Sequence, residues 1–283
     1  MADCRGELYR ALDASIDACG GKLDDVKVLE TARHFDAHHQ PKTYVGAPVR
    51  FVCCPHPPEG ARSCTVAADA IVSSVAGVSI HVNTEESMHV TLFHTSHPND
   101  RRPFSDAIRA HGRFHRPRRC MPPHMKHMSE LSDLRALAAA FPQFSLRFHS
   151  IVLASSGSIV MLFDDPDDTV DRLRLVAHSV FPALPAYQTK TIVHTTLARV
   201  LTPSMPSETL QALRAKCLEV TAQLRHDAFG IALSRLWYVE ETHYFSAESG
   251  RRTSIALPPP LHGASVGVND TSQHLRDSGA TSG

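Results

Sequence analysis

Two short apolar stretches, Met88-His89-Val90-Thr91-Leu92-Phe93 and Val193-His194-Thr195-Thr196-Leu197-Ala198, set an imidazole and a hydroxyl two positions apart, with Leu directly after the Thr. Successive side chains of a strand alternate faces, so residues i and i+2 point the same way, about 7 Å apart. Met88, Val90 and Leu92 then take one face and leave His89 with Thr91 on the other. Val193, Thr195 and Leu197 likewise back onto a core beneath His194 and Thr196. The two histidines lie 105 positions apart in the chain, about one lobe's worth. A chain that repeats such a strand at that distance is expected to build two related units, each holding its pair on a sheet.

The rest of the pattern agrees with that frame. Residues 6–19 and 24–33 mix apolar and charged positions at helical spacing around Gly20-Gly21 and read as a helical extension over 1–40. Strand character marks 49–54, and 67–77 reads as a helix stopped by Gly77. Residues 78–82 and 87–95 read as two strands joined in a hairpin. Helices are expected over 129–141, 168–181 and 207–224. Residues 147–154 and 158–165 flank Ser-Ser-Gly as a second hairpin, 189–201 is a strand, and 230–245 holds one or two more. Strands, a His-bearing strand and a helix recur in each half, which predicts an α+β fold of two related lobes over 41–256. The Pro-, Ser- and Gly-rich tail, 257–283, reads as disordered.

The tripeptide alone means nothing. His-x-Ser/Thr occurs at 89, 94, 127 and 194, in a chain with 19 His. Roughly three are expected by chance from such a frequency, the usual risk of a short motif. Apolar flanks and the following Leu single out 89 and 194. A lone His on such a strand is most often a bonded structural residue; two matching motifs at lobe spacing weigh against that. The chemistry of the pair suits phosphodiester hydrolysis. One imidazole can take a proton from the attacking oxygen while the other gives one to the leaving oxygen, since the ordinary pKa of about 6.5 allows both states near neutrality. The Thr hydroxyls can donate to phosphoryl oxygens, and no metal or cofactor is required.

The pair His89-Val90-Thr91-Leu92 and His194-Thr195-Thr196-Leu197 resembles the 2H phosphoesterases, which include 2′-5′ RNA ligase-like proteins and cyclic nucleotide phosphodiesterases. The following Ala198-Arg199 is most similar to the bacterial ligase-like branch. The resemblance implies two pseudo-symmetric lobes of antiparallel sheet with flanking helices around a central groove. It implies action on 2′,3′-cyclic phosphates, 2′-5′ linkages or RNA ends, with His89 and His194 as acid and base and Thr91 and Thr196 holding phosphate. Residues 1–40 and 96–128 depart from the family's pattern.

Other residues are candidates by position. Arg199 falls on the opposite parity from His194 and is either an ion-pair residue or a strand-end phosphate contact. Tyr187, Trp237, Tyr238 and Tyr244 could stack substrate bases, although Trp237 and Tyr238 alternate, so at least one belongs to the core. His111, His115, Cys120, His124 and His127 are zinc-ligand types in no standard spacing. The same loop carries Arg109, Arg113, Arg116, Arg118, Arg119 and Lys126 without an acid between Asp106 and Glu130, and reads as a phosphate-binding loop or a solvated insertion. A nucleotide- or RNA-binding module without turnover, with a zinc-holding loop, is the rival reading.

Composition adds exclusions. Lys plus Arg equals Asp plus Glu at 29 each, so global charge names no polyanionic partner. Seven unpatterned cysteines, Cys53 and Cys54 adjacent, read as free thiols of a reducing compartment. The acid-bearing start is no leader sequence, and the most apolar window, 67–82, is too short to span a bilayer. A monomer of the cytoplasm or nucleus, acting on RNA or nucleotides and on no membrane, is expected.

Overall fold

The computed structural model describes residues 4–45, 48–96, 123–181 and 192–260. The elements run α1 (Cys4–Asp13), α2 (Ser15–Ala18), α3 (Asp25–Ala32), β1 (Val49–Pro55), α4 (Pro58–Val72), β2 (Ile80–Val82), β3 (His89–His94) and α5 (Pro123–Ala139). They continue with β4 (Phe144–Leu153), β5 (Ser158–Asp164), α6 (Thr169–Val180), β6 (His194–Val200), α7 (Ser207–His226), β7 (Gly230–Leu233), β8 (Arg235–Glu241) and β9 (Arg251–Ala256). The fold is α+β, with two antiparallel sheets ordered β3-β1-β8-β9 and β2-β6-β5-β4-β7.

Each sheet is built from both halves of the chain. The expected hairpin of 78–82 with 87–95 does not form. β2 joins β6 in the second sheet, while β3 joins β1 in the first. The intervening residues hold a 3₁₀ turn, Glu85–Ser87, which turns the chain from one sheet to the other. The same exchange recurs near the end, where β7 pairs with β4 and β8 crosses back to β1. The β4–β5 hairpin forms as read, closed by Gly157 at φ 81°. β9 was not legible as a strand, because its Arg-Arg-Thr-Ser start lies on the exposed edge of the first sheet.

Both sheets turn one face to a single core. Val52, Cys54, Val90, Leu92, Phe93 and Tyr238 from the first sheet pack in one cluster with Ile159, Met161, Phe163 and Leu197 from the second. α4 fits against them through small side chains, Ala61, Cys64, Ala67 and Ala68, whose helical spacing makes a flat face. α7 adds Leu210, Leu213 and Cys217, and α5 adds Leu131, Leu134 and Leu137. Ile16, Leu23 and Val28 of the N-terminal segment belong to the same cluster. The opposite faces carry both His-x-Thr pairs beside two smaller apolar clusters, Val49, Phe51, Cys53 and Val239 on the first sheet and Val152, Val160 and Leu162 under Tyr9 on the second.

At Gly157 a side chain would meet Val200 O at 3.0 Å and Val28 Cγ2 at 3.2 Å, on a backbone already in the left-handed region. Gly157→Ala is expected to cost about 1–2 kcal/mol from that conformation alone. A lowered urea midpoint with an unchanged slope is the expected observation; an unchanged midpoint would show that the turn relaxes freely.

Candidate active site

Each motif ends in a bulge. Cys53 pairs with Thr91 and Val52 with Phe93, so Leu92 is the extra residue of β3. Val160 pairs with Thr196 and Ile159 with Ala198, so Leu197 is the extra residue of β6. A bulge resets the alternation of faces. His94 therefore returns to the side of His89 and Thr91, and Arg199 returns to the side of His194 and Thr196. The parity that separated Arg199 from His194 in the sequence is thus corrected by one extra residue. The same leucine that follows each Thr makes the bulge, five positions after each His comes a second basic or imidazole group, and the two arrangements correspond position for position.

Backbone carbonyls fix the imidazoles. His89 Nδ1 lies 2.6 Å from Ser87 O, and the Ile192 carbonyl bonds His194 in the same i−2 relation. A carbonyl only accepts, so Nδ1 of His89 carries the proton and Nε2 of the neutral ring lies 3.1 Å from Thr91 Oγ1. The carbonyls freed by the bulges are also occupied. Buried Arg174 donates to Leu92 O at 2.8 Å and to Thr91 O at 3.2 Å. Asn83 donates to Thr196 O at 2.8 Å from its side chain and to Leu197 O at 2.9 Å from its backbone.

The two strands touch behind the site. Thr195, the central residue of the second motif, donates to His89 O at 3.0 Å. It accepts in turn from Nε2 of buried His56 at 2.7 Å, whose Nδ1 lies 3.5 Å from Cys64 Sγ. Tyr9 of α1 reaches the start of β6, where its hydroxyl accepts from Val193 N at 3.2 Å and donates to Phe163 O at 2.5 Å. His194 therefore follows a backbone group held from two sides.

The electrostatics favour neutral imidazoles. Burial is the main cause that lowers the pKa of His194, to about 4, with Arg199, His89 and Arg174 adding positive charge. His89 is also lowered, first by burial and then by Arg199 and Arg252, against the Ser87 bond. Each histidine lies in the field of Arg199. That guanidinium is itself lowered to about 10 by burial, lies 4.2 Å over the Phe245 ring and donates from one terminal nitrogen to Ser158 Oγ at 3.1 Å. Its buried Nε has no partner among the described residues, which leaves a donor for an anion. Glu241, on the same face of the first sheet, is raised to about 7 by burial, against the bond from Tyr44 at 2.6 Å.

The structure brings His89, Thr91, His194, Thr196 and Arg199 to the polar faces and separates the aromatic candidates. Trp237 pairs with Cys53 beside Thr91, on the groove side, under the guanidinium of Arg252 at 4.6 Å. Tyr238 points the other way into the core. Tyr244 is stacked on His34 at 3.8 Å and lies 4.1 Å from Tyr44, so its ring already serves to hold the N-terminal segment. Tyr187 lies outside the described residues, as do His111, His115 and Cys120 of the basic loop; the side chains of His124 and His127 do too. Among the described residues no group of three or more metal-ligand side chains comes together, and no helix is long and apolar enough to cross a membrane. Sequence reasoning missed Arg174, Asn83, His94 and Phe51, whose ring lies 5.5 Å from both His89 and His94. The paired five-residue spacing, His89 to His94 and His194 to Arg199, was the available signal.

Comparison with known proteins places this architecture. No family model and no curated protein matches the sequence. Among solved structures, a conserved protein of unknown function from Agrobacterium tumefaciens matches with a TM-score of 0.57 at 14% identity, over 78% of this chain and 90% of that one. The two share a fold. Looser likenesses include TT0787 of Thermus thermophilus, with a TM-score of 0.45 at 12% identity over 75% of this chain and 100% of that one. Escherichia coli LigT complexed with phosphate gives 0.41 at 12% identity, over 76% and 99%.

Burial also lowers His56, to about 3, and this gives a stability test. Between that value and about 6.5 the unfolded chain binds a proton that the folded chain does not, so stability rises with pH in this window and falls on acidification. Each such histidine costs about 1.4 kcal/mol per pH unit below 6.5. His56→Gln keeps a donor for Thr195 and removes the titration. The variant is expected to lose about 2 kcal/mol less than wild type between pH 7 and 5 in urea unfolding. Equal losses would show that His56 is protonated without cost.

Proposed function

We propose that this chain is a phosphodiesterase that hydrolyses 2′,3′-cyclic phosphates, 2′-5′ linkages or RNA ends with His89 and His194 as its acid–base pair. One observation carries the reading: two His-x-Thr strands, each with the same bulge and the same carbonyl-anchored imidazole, present their polar groups from sheets that meet along β3 and β6. The resemblance of the motifs to the 2H phosphoesterases supports the same reaction class.

On a 2′,3′-cyclic phosphate, one neutral imidazole takes a proton from water as its oxygen bonds to phosphorus. The bond from phosphorus to one ribose oxygen breaks, and the other imidazole, protonated, delivers its proton to that oxygen. The product is a ribose phosphomonoester. Thr91, Thr196 and Arg199 donate to the phosphoryl oxygens, whose charge grows in the transition state. The phosphate also equips the site for this step. Its negative charge offsets the arginines that add to burial in lowering both imidazoles, so binding raises their affinity for the proton that the acid needs. The reaction asks for no metal.

Hydrolysis of 2′,3′-cyclic nucleotides and of short 2′-5′ and 3′-5′ oligonucleotides in EDTA tests the proposal. His89→Ala and His194→Ala are each expected to lose about 10²–10⁴ in kcat, the usual weight of general acid–base catalysis. Activity removed by EDTA and indifferent to both substitutions would sink it. Nucleotide binding without turnover in wild type would favour a binding module.

The charge balance makes a second prediction. Because both histidines are lowered in the free protein, the acid must be protonated at a pH below the usual histidine value, so the kcat/KM profile is expected to peak below about 6.5. Arg199→Gln removes positive charge from both and should move that peak upward. A peak that stays in place while activity falls would limit Arg199 to phosphate contact.

A further inference from the structure

A cavity of about 300 Å³ opens beside the groove, lined among others by His38, His39, His81, Asn83, Phe245 and Glu248. Its walls are shared with the site. Ser87, also in the lining, supplies the carbonyl that anchors His89. Asn83 holds the bulge carbonyls of the second motif. His81 is the cross-strand partner of Arg199, and Phe245 lies beneath the Arg199 guanidinium. The cavity therefore lies against the groups that support His89, the second motif and Arg199.

The backbone is strained there. His39 at φ 59° and Phe245 at φ 56° are non-glycine residues in the left-handed region, and both line the cavity. Such residues persist where the surroundings over-determine them, and they gather at ligand sites. Phe245 is held by Phe35, stacked at 5.9 Å, and by Arg199. The carbonyl of His39 holds His81 Nδ1 at 3.0 Å. Strain and bonds thus fix two flat rings in the walls.

The polar lining selects a kind of ligand. Fixed hydrogen-bonding groups are how the edges of unpaired bases are read. Glu248 is exposed to the cavity, and its carboxylate accepts from the Thr84 hydroxyl, which orients it. An ionised carboxylate only accepts, so it repels a second phosphate and prefers a base edge that presents N–H donors. Guanine offers two adjacent donors, at N1 and N2, that match the two oxygens of one carboxylate. Uracil offers a single donor between two carbonyl oxygens.

We propose that this cavity is a base subsite of the groove and takes guanine, with Glu248 accepting from N1–H and N2–H₂; its place as a substrate subsite rests on the phosphodiesterase reading above. Nucleosides without phosphate separate the two ideas. Calorimetry on the full chain is expected to show guanosine bound at least tenfold more tightly than adenosine, cytidine or uridine, the discrimination typical of one bidentate contact. Glu248→Gln, an exposed substitution, should erase that preference. Turnover of the four 2′,3′-cyclic mononucleotides should follow the same order in KM, and Glu248→Gln should level it. Four nucleosides bound alike, or none bound, would overturn the guanine subsite even where turnover by the two histidines is intact. Guanosine preference without turnover of any substrate would overturn the phosphodiesterase reading, and with it the cavity's place as a substrate subsite.

Discussion

A regular strand offers every second side chain to one face, and the groove needs three groups from each of two strands within a few residues. The extra residues at Leu92 and Leu197 resolve that conflict. With strict alternation, Arg199 would turn toward the core face of Val193, Thr195 and Leu197, where a guanidinium without a partner is costly. The bulges carry their own cost, because they free backbone carbonyls from the ladder. Arg174 satisfies those of the first motif and Asn83 those of the second. Arg174 comes from α6, just ahead of the second motif, and Asn83 from the end of β2, just ahead of the first. Each motif is braced by the stretch of chain that leads into the other, so the two histidines are placed by one mutually dependent arrangement rather than by two independent lobes.

That arrangement also sets the charge. The imidazoles are removed from bulk water and share a neighbourhood with Arg199, while Arg174 reaches His194 and Arg252 reaches His89. The site thus gathers positive charge in a poorly solvated place, where it is costly unless paired. Glu241 and Tyr44 offset Arg199 only from one side, and Arg199 keeps an unpartnered Nε. A phosphate fits that imbalance in sign, in donors and in its effect on the histidines.

The sequence was informative where periodicity has one interpretation. The alternation around His89 and His194 placed both pairs on the polar faces, and Ser-Ser-Gly closed its hairpin. It misled where tertiary partners decide. Residues 78–82 and 87–95 have the spacing of a hairpin, yet β2 is more fully served by pairing with β6, and the turn at Glu85–Ser87 directs β3 to the other sheet. Parity counting failed for Arg199 because a bulge leaves no mark in a single sequence except an apolar residue where alternation expects a polar one; Leu92-Phe93 and Leu197-Ala198 are two such doublets. Arg174 and Asn83 act on backbone groups far away in the chain, a relation that no local pattern encodes.

The first forty residues show the same dependence from another direction. As sequence they look like an appendage, two amphipathic helices and a polar stretch. In the fold Tyr9 of α1 covers Val152, Val160 and Leu162 on the polar side of the second sheet and fixes the backbone just ahead of His194. His34 and Phe35 stack on Tyr244 and Phe245, and so hold the ring on which Arg199 rests. Few side chains of the second motif could keep their geometry if this segment left, because the groove face of β5 would be open to water and Arg199 would lose its support. The segment is therefore a structural part of the second half-site, and it meets the two sheets asymmetrically: α1 brings Tyr9 onto the second, while Tyr44 packs on Val49, Phe51 and Val239 of the first. A symmetric pair of histidines set in an asymmetric groove can accept a phosphodiester in a preferred direction, which two mirrored strands by themselves could not impose.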